Sequence, residues 1–158
     1  MDINLDDLTV RFRKDISSRL IEDWSWLVGT DKKVIMISVI GDMFLEGDEG
    51  KIFWLDVGGG ELKMVATDIR DFEGKLTDFD LVNEWFLIDL TLQLRGSNTR
   101  LNDEQVYSYR TLPIMGGDYS VDNFAPLGIE AHFHLTGHIH KKIKDLPDGT
   151  MVEIKVTD

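Results

Sequence analysis

Cysteine is absent from all 158 residues, and that one absence removes disulfides, thiolate chemistry and cysteine-based zinc sites together. A reducing compartment agrees with it. Proline is scarce, with 3 in the chain, and no low-complexity tract or collagen-like bias departs from the composition of an ordinary globular protein. No apolar run approaches the roughly 18 residues that a membrane span requires. The opening MDINLDDL lacks the basic and apolar regions of a signal peptide, so a cytoplasmic location is expected. There is also no Gly-x-Ser-x-Gly elbow and no serine whose neighbours would activate it, which leaves nucleophilic catalysis without support.

Positive charge is the other shortage. Lys and Arg number 17 against 29 Asp and Glu, a formal net charge of −12. Nucleic-acid binders draw most of their affinity from Lys and Arg contacts that release counterions, so that partner is disfavoured. An anionic membrane surface is disfavoured for the same reason. A cationic partner is favoured, and opposite charge would raise its association rate more than its affinity. The other reading of the same number is that acidity keeps a cytosolic protein soluble. Paired carboxylates are so frequent in this composition that they single out no catalytic site.

What is present is organised around Val34–Leu62. Three apolar runs, Val34–Ile40, Met43–Leu45 and Ile52–Val57, are rich in β-branched and aromatic residues, and Gly and Asp bound each of them, as in an antiparallel meander. The breaks at Gly41-Asp42, at Gly47-Asp48-Glu49-Gly50 and at Gly58-Gly59-Gly60 are turn signals. Helices are expected to cover one face of this sheet. The length suits a single domain, residues 1–158, with a substantial core.

Before the meander, Leu5, Leu8, Phe12, Ile16 and Leu20 make one apolar stripe, which predicts a helix over residues 4–27. Asn4 would cap it, Asp7 would sit in its first turn, and Gly29 would end it. Trp24 and Trp26 read as core cover. After the meander, Leu62–Ala66 reads as a strand and Asp68 caps a short helix carrying Ile69, Phe72 and Leu76. Asp78 caps a second helix through Leu81, Trp85, Ile88 and Leu92, with Gly96 as its C′ residue. The fold class expected is therefore α+β: a mainly antiparallel sheet, with the meander at residues 33–66, covered by an N-terminal helix and a central helical pair.

The last third is less regular. Val106–Arg110 predicts a strand, and Pro113 places the following segment at an edge or in an ordered loop. Glu130–Ile143 fits two patterns, alternation at Ala131, Phe133 and Leu135 and a spacing of four at Leu135, Ile139 and Ile143. The expectation is a strand to about His134 and a helix afterwards. Leu146-Pro147-Asp148-Gly149 signals a turn, and Met151–Val156 alternates as a terminal strand.

Two motifs carry possible chemistry. His132, His134, His138 and His140 fall within nine residues, and on one continuous strand they would share a face able to ligate a transition metal. A change to helix near Leu135 would split them into two pairs, and no carboxylate at a characteristic offset completes a site. These histidines are weak metal candidates; the other reading is a partly exposed face beside Lys141 and Lys142. Gly58-Gly59-Gly60 lacks the helix start and Lys-Ser/Thr of a phosphate loop, so it reads as a hairpin turn.

Laid out together, four blocks resemble a known family. Gly41-Asp42-Met43-Phe44-Leu45 and Gly50-Lys51-Ile52-Phe53-Trp54-Leu55-Asp56 with its glycine turn are similar to the G-D-x-F-L and W-L-D-x-G-x-G-E-L pattern of the C-terminal domain of Tdi-type immunity proteins, associated with bacterial type VI secretion. Pro113–Asn123 is similar to P-x-L-G-G-E-Y-S-x-E-N, and Gly137-His138-Ile139-His140 with Lys144–Gly149 is similar to G-Q-I-H and K-D-L-P-D-G. The blocks run in order from about Trp24 to Gly149. His138 departs from the pattern, standing where the family commonly has Gln. The resemblance implies an immunity-type α+β domain, akin to the SUKH superfamily, that binds and silences a secreted toxin, a DNase in the type case.

The function expected is thus non-enzymatic neutralisation of a cognate toxin with a basic surface, with no cofactor and no nucleic-acid or membrane partner. A scaffold or regulator of the same fold, or an enzyme built on the histidine cluster, are the alternatives. Partner-binding residues are expected in the acidic turn, at Glu46, Asp48 and Glu49, and in the loop at Asp118, Tyr119, Asp122 and Asn123, with Gly117 and Asn123 shaping that loop.

Overall fold

The computed structural model describes residues 3–146. In chain order its elements are α1 (Leu5–Leu8), β1 (Thr9–Val10), α2 (Ser17–Glu22), α3 (Ser25–Val28), β2 (Lys33–Ser38), β3 (Met43–Glu46), β4 (Ile52–Asp56), β5 (Glu61–Ala66), α4 (Ile69–Lys75), α5 (Phe79–Phe86), α6 (Ile88–Arg95), β6 (Gln105–Tyr109), β7 (Phe124–Gly128) and α7 (Ile129–Ile143). Strands β1 to β5 form one antiparallel sheet in sequence order, and β6 pairs with β7 in a second. The α+β class and the meander are as expected from the sequence.

Helices cover both faces of the meander, where one face was expected. Ile37, Met43, Leu45, Leu55 and Val57 pack with Leu20, Trp24 and Phe133 on one side. Phe44, Ile52, Trp54 and Ala66 pack with Phe72, Trp85 and Phe86 on the other. The signal was in the strands: Met43, Phe44 and Leu45 are consecutive and all fully buried, the continuous apolar run of a strand covered twice rather than the alternation of one covered once.

The same two-sided cover breaks the expected N-terminal helix. Leu8 belongs to the Phe44 cluster while Ile16, Leu20 and Trp24 belong to the Ile37 cluster, so the apparent stripe is shared between opposite faces. The chain crosses at the sheet edge, where Thr9 and Val10 pair with Ser38 and Ile37. Asn4 and Asp7 do form a reciprocal capping box at the start of α1, and Gly29, at φ +83°, closes α3. Arg95 holds the crossing by donating to the carbonyls of Asp7 (2.7 Å) and Thr9 (2.9 Å).

The second central helix is also two. Leu87 takes a left-handed conformation (φ 47°) between α5 and α6, the Asn83 side chain accepts from the Ile88 N–H (3.2 Å), and Thr91 donates to the Phe86 carbonyl (2.7 Å). Trp85 and Ile88 stay in one cluster across the break, which is why periodicity alone missed it. Gly96 ends α6 in a right-handed conformation (φ −83°), not as a left-handed C′ glycine.

Residues 129–143 are helical throughout, correcting the strand expected to His134. The inner face of α7 carries Ile129, His132, Phe133, Thr136, Gly137 and His140. Four of these six are polar or lack a side chain, so the apolar pattern was unreadable. Strand β7 was not foreseen; Pro126 within it pairs with Tyr107 in a two-stranded sheet, where a missing N–H can face outward. The turn expected at 146–149 and the strand expected at 151–156 fall wholly or largely outside the described residues.

Candidate functional site

Antiparallel connection brings the β2–β3 turn (residues 39–42) and the β4–β5 turn (residues 57–60) to the same end of the sheet. Asp42 ties them together. Its Oδ1 accepts from the Val57 N–H (2.9 Å) and its Oδ2 from the Trp54 indole (3.3 Å), while the Asp42 backbone N–H donates to Ser38 Oγ (3.0 Å). Asp42 is 3% exposed, and burial first, then the neighbouring Asp56, holds its carboxyl well above the usual range. Asp56 is raised too, again by burial, although the Gly59 N–H opposes this.

Helix α7 pins both turns from the core side. His132 Nε2 donates to the Gly41 carbonyl (2.7 Å), which leaves Nδ1 to accept from Ser108 Oγ (2.7 Å). His140 Nε2 donates to the Val57 carbonyl (2.8 Å). Desolvation lowers both histidines, His132 to about 4. Glycine is required at two of these positions. Gly41 and Gly60 have φ +85° and +67°, and a Cβ on either would run into the ring of His132 or His140.

Between the turns lies a cavity of about 130 Å³ lined by Asp42, Trp54, Asp56, Glu84, Tyr109 and Tyr119, with Ile40 and Leu87 as its apolar wall. Tyr109 and Tyr119 meet edge to face at 6.0 Å. Their hydroxyls crowd Gly58, where a Cβ would sit 2.7 and 2.8 Å from them. Burial first, then Asp42 and Asp56, pushes both phenols up. A larger cleft of about 930 Å³ runs between Thr9–Arg13 and Leu101–Gln105. Two of its three arginines are already engaged, Arg13 with Glu104 (3.0 Å) and Arg95 with backbone carbonyls, with Arg11 the third, so size alone does not mark it as the site.

The expected partner-binding residues divide into two places. Tyr119 lines the cavity and is 49% exposed. Asp118 and Asp122 are exposed on the same loop, and Ser120 donates to Asp118 (2.6 Å). Asn123 is the brace of that loop: its amide donates to the carbonyls of Thr111 (2.8 Å) and Asp118 (2.7 Å) and accepts from the Thr111 N–H (3.0 Å). Gly117 is pressed against the Thr111 carbonyl, leaving no room for a Cβ. Glu46, Asp48 and Glu49 lie at the β3–β4 turn. That is the opposite end of the strands, roughly 13 Å away for four residues of β3, so the structure does not join the two groups.

The four histidines do not converge. His132 and His140 face the core and are spent on carbonyls. On the outer face, His134 meets Asp23 (2.6 Å) and stacks on His138 with centroids 6.3 Å apart. Among the described residues no three His, Cys, Asp or Glu side chains are grouped to hold a metal ion. The Ser108–His132 pair has the spacing of a nucleophile and base, but both residues are buried and the second ring nitrogen meets a carbonyl, not an orienting carboxylate. No substrate reaches it in this geometry. Gly58–Gly60 forms the hairpin turn expected.

Sequence reasoning missed Asp42, Trp54, Asp56, Glu84 and Tyr109 as a group. The first three stand inside the Gly41-Asp42 and Trp54-Leu55-Asp56 blocks, which were a usable signal. Glu84 and Tyr109 had none.

Residues 66–140 match the family described as T6SS immunity protein Tdi1, C-terminal. The resemblance read from the sequence is thereby shown over that stretch, a family of type VI secretion immunity proteins. The stretch includes Glu84, Tyr109 and Tyr119; the turns bearing Asp42 and Asp56 precede it. No curated protein matches the chain. Among solved structures, the crystal structure of Atu4351 from Agrobacterium tumefaciens is similar, with a TM-score of 0.53 and 13% identity over 80% of this chain and 65% of that one. The chain spans about two thirds of that protein's length, and the likeness concerns the fold alone. No helix among the described residues is long and apolar enough to cross a membrane.

Proposed function

We propose that this chain is a non-enzymatic immunity protein that binds a cognate secreted toxin in the cytoplasm and silences it. The match of residues 66–140 to the immunity family carries the reading. The geometry supports binding over catalysis, because the best acid–base candidates, Asp42 and His132, are buried and engaged by the fold's own turns. Residues 1–158 act as one immunity domain in this reading.

The partner is a protein with a basic surface, a nuclease being the chemistry that fits best. An acidic inhibitor can occupy a nuclease's cationic cleft in place of the phosphate backbone. An interface of about 1,200–2,000 Å² with a few buried anchors is enough for tight inhibition. Tyr119, with Asp118 and Asp122 beside it, forms one contact region; Glu46, Asp48 and Glu49 form a second at the far turn, and Asn123 supports the first from within. Nucleic acid and membranes are not partners in this reading.

The test is co-expression with the product of the adjacent gene. Relief of toxicity together with a stoichiometric complex on a sizing column is expected. Killing that continues unrelieved, with no complex, refutes the reading.

A further inference from the structure

We infer that the cavity between the Asp42 and Asp56 turns is a socket for one arginine side chain of the partner protein, with the neighbouring loop as its apolar collar. The identity of the partner rests on the immunity reading above; the socket itself rests on the geometry.

Size decides the class of occupant. At about 130 Å³ the cavity falls below the roughly 300–1,000 Å³ of sites that enclose whole small ligands, yet it admits a single side-chain head group. Its chemistry decides the charge. Asp42 is almost wholly buried and turned into this space, and its two oxygens meet only neutral donors, the Val57 N–H and the Trp54 indole. Among the described residues no Lys or Arg lines the cavity, while Asp56 and Glu84 add two more carboxylates. Lys63 acts on Asp56 from outside the lining; it is paired with Glu61 (3.4 Å) and lies against the Trp54 ring (5.5 Å). His140 stands behind the Val57 carbonyl. Both Asp42 oxygens are hydrogen-bonded, but the wall around them carries no counter-charge and burial holds Asp42 and Asp56 above the usual carboxylate range, so a guanidinium entering beside them would supply the charge that this site lacks.

The walls favour guanidinium over ammonium. Trp54, Tyr109 and Tyr119 supply aromatic surface, and a planar fork both stacks on rings and bridges carboxylates, which a compact ammonium does not. The collar fits the same partner. Tyr119 lines the socket, and Ile114, Met115 and Tyr119 are 53%, 40% and 49% exposed on one loop that Asn123 holds in place with three hydrogen bonds, so apolar anchors are presented in a fixed position on the loop that supplies one socket wall.

The test titrates isotope-labelled protein with N-acetyl-arginine amide, its lysine counterpart and the neutral, similarly shaped citrulline counterpart, following the Val57 amide and Trp54 indole N–H resonances. The arginine probe should give saturating shifts at both, the lysine probe should bind roughly tenfold more weakly, and citrulline should give none. Glu84→Gln and Tyr119→Ala alter exposed side chains and leave the core intact; each should weaken arginine binding roughly fivefold. Equal responses to arginine and citrulline, shifts spread evenly over the acidic surface, or stronger shifts at the same resonances with millimolar calcium each overturn the socket. Failed titration with intact rescue of toxicity removes the socket and leaves the immunity reading; saturating titration with failed rescue does the reverse.

Discussion

Replacing His132 with Gln should flatten part of the protein's acid sensitivity. In the folded chain the ring is buried against the Gly41 carbonyl and Ser108 Oγ, and burial lowers it from its ordinary 6.5 to about 4. The sign follows from which state takes the proton. Above pH 6.5 neither folded nor unfolded chain is protonated at this ring, and its full contribution is present. Between 6.5 and about 4 only the unfolded chain accepts the proton, so stability falls across that window and levels off below it. Each pH unit is worth about 1.36 kcal/mol, which makes the loss about 3 kcal/mol. His140 is lowered as well and acts in the same direction. Asp42 acts in the opposite one, because its raised carboxyl takes a proton more readily when folded and so favours the folded state as pH falls. The raw profile therefore mixes both signs, and only the difference between wild type and His132→Gln isolates the imidazole. Gln keeps an amide donor for the Gly41 carbonyl and cannot titrate. Urea unfolding followed by tryptophan fluorescence, repeated between about pH 7.5 and about pH 4, gives the two curves. Wild type should lose about 3 kcal/mol more than the variant across the window. Parallel curves would refute the assignment.

Gly41→Ala should cost more than about 2 kcal/mol, since it combines a left-handed backbone with a collision against His132; an unchanged urea midpoint would contradict this. Asn123→Ala removes three hydrogen bonds from the loop and should cost about 1–3 kcal/mol, with amide exchange rising at residues 111–123 before it rises in the sheet. Tyr119→Ala should weaken toxin binding by about 2 kcal/mol, mainly through faster dissociation. Neutralising Glu46, Asp48 and Glu49 together should slow association and reduce its salt dependence, with dissociation little changed. Surface plasmon resonance separates the two, and the reverse pattern would move the principal contact to the far turn.

The meander was readable because its turns are written in glycine and its strands in consecutive apolar residues. The caps at Asn4, Asp68 and Asp78 were readable for a similarly local reason, each side chain bonding to a backbone N–H two or three residues on. The errors arose where tertiary contacts divide a regular pattern. Leu8 and Ile16 look equivalent on a helical wheel and are not, because the chain passes the sheet edge between them. Leu87 breaks a helix without interrupting its apolar face. In α7 the buried face is made of histidine, threonine and glycine, residue types that periodicity counts as outward. The cavity was half legible: the blocks holding Asp42, Trp54 and Asp56 drew notice for their resemblance, but that Tyr109, Tyr119 and Glu84 close over them depends on the second sheet and α5.

The two inward histidines of α7 also fix where that helix stops along its own axis. Eight residues separate them, about 12 Å of helix, and the carbonyls they reach belong to loops two strand spacings apart, about 10 Å. The rise of one element is thus measured against the spacing of another, like two pegs matched to two holes. A helix slid by one residue would rotate both rings away and strand two carbonyls at once, so a misregistered compact form has no partial credit for getting one peg home.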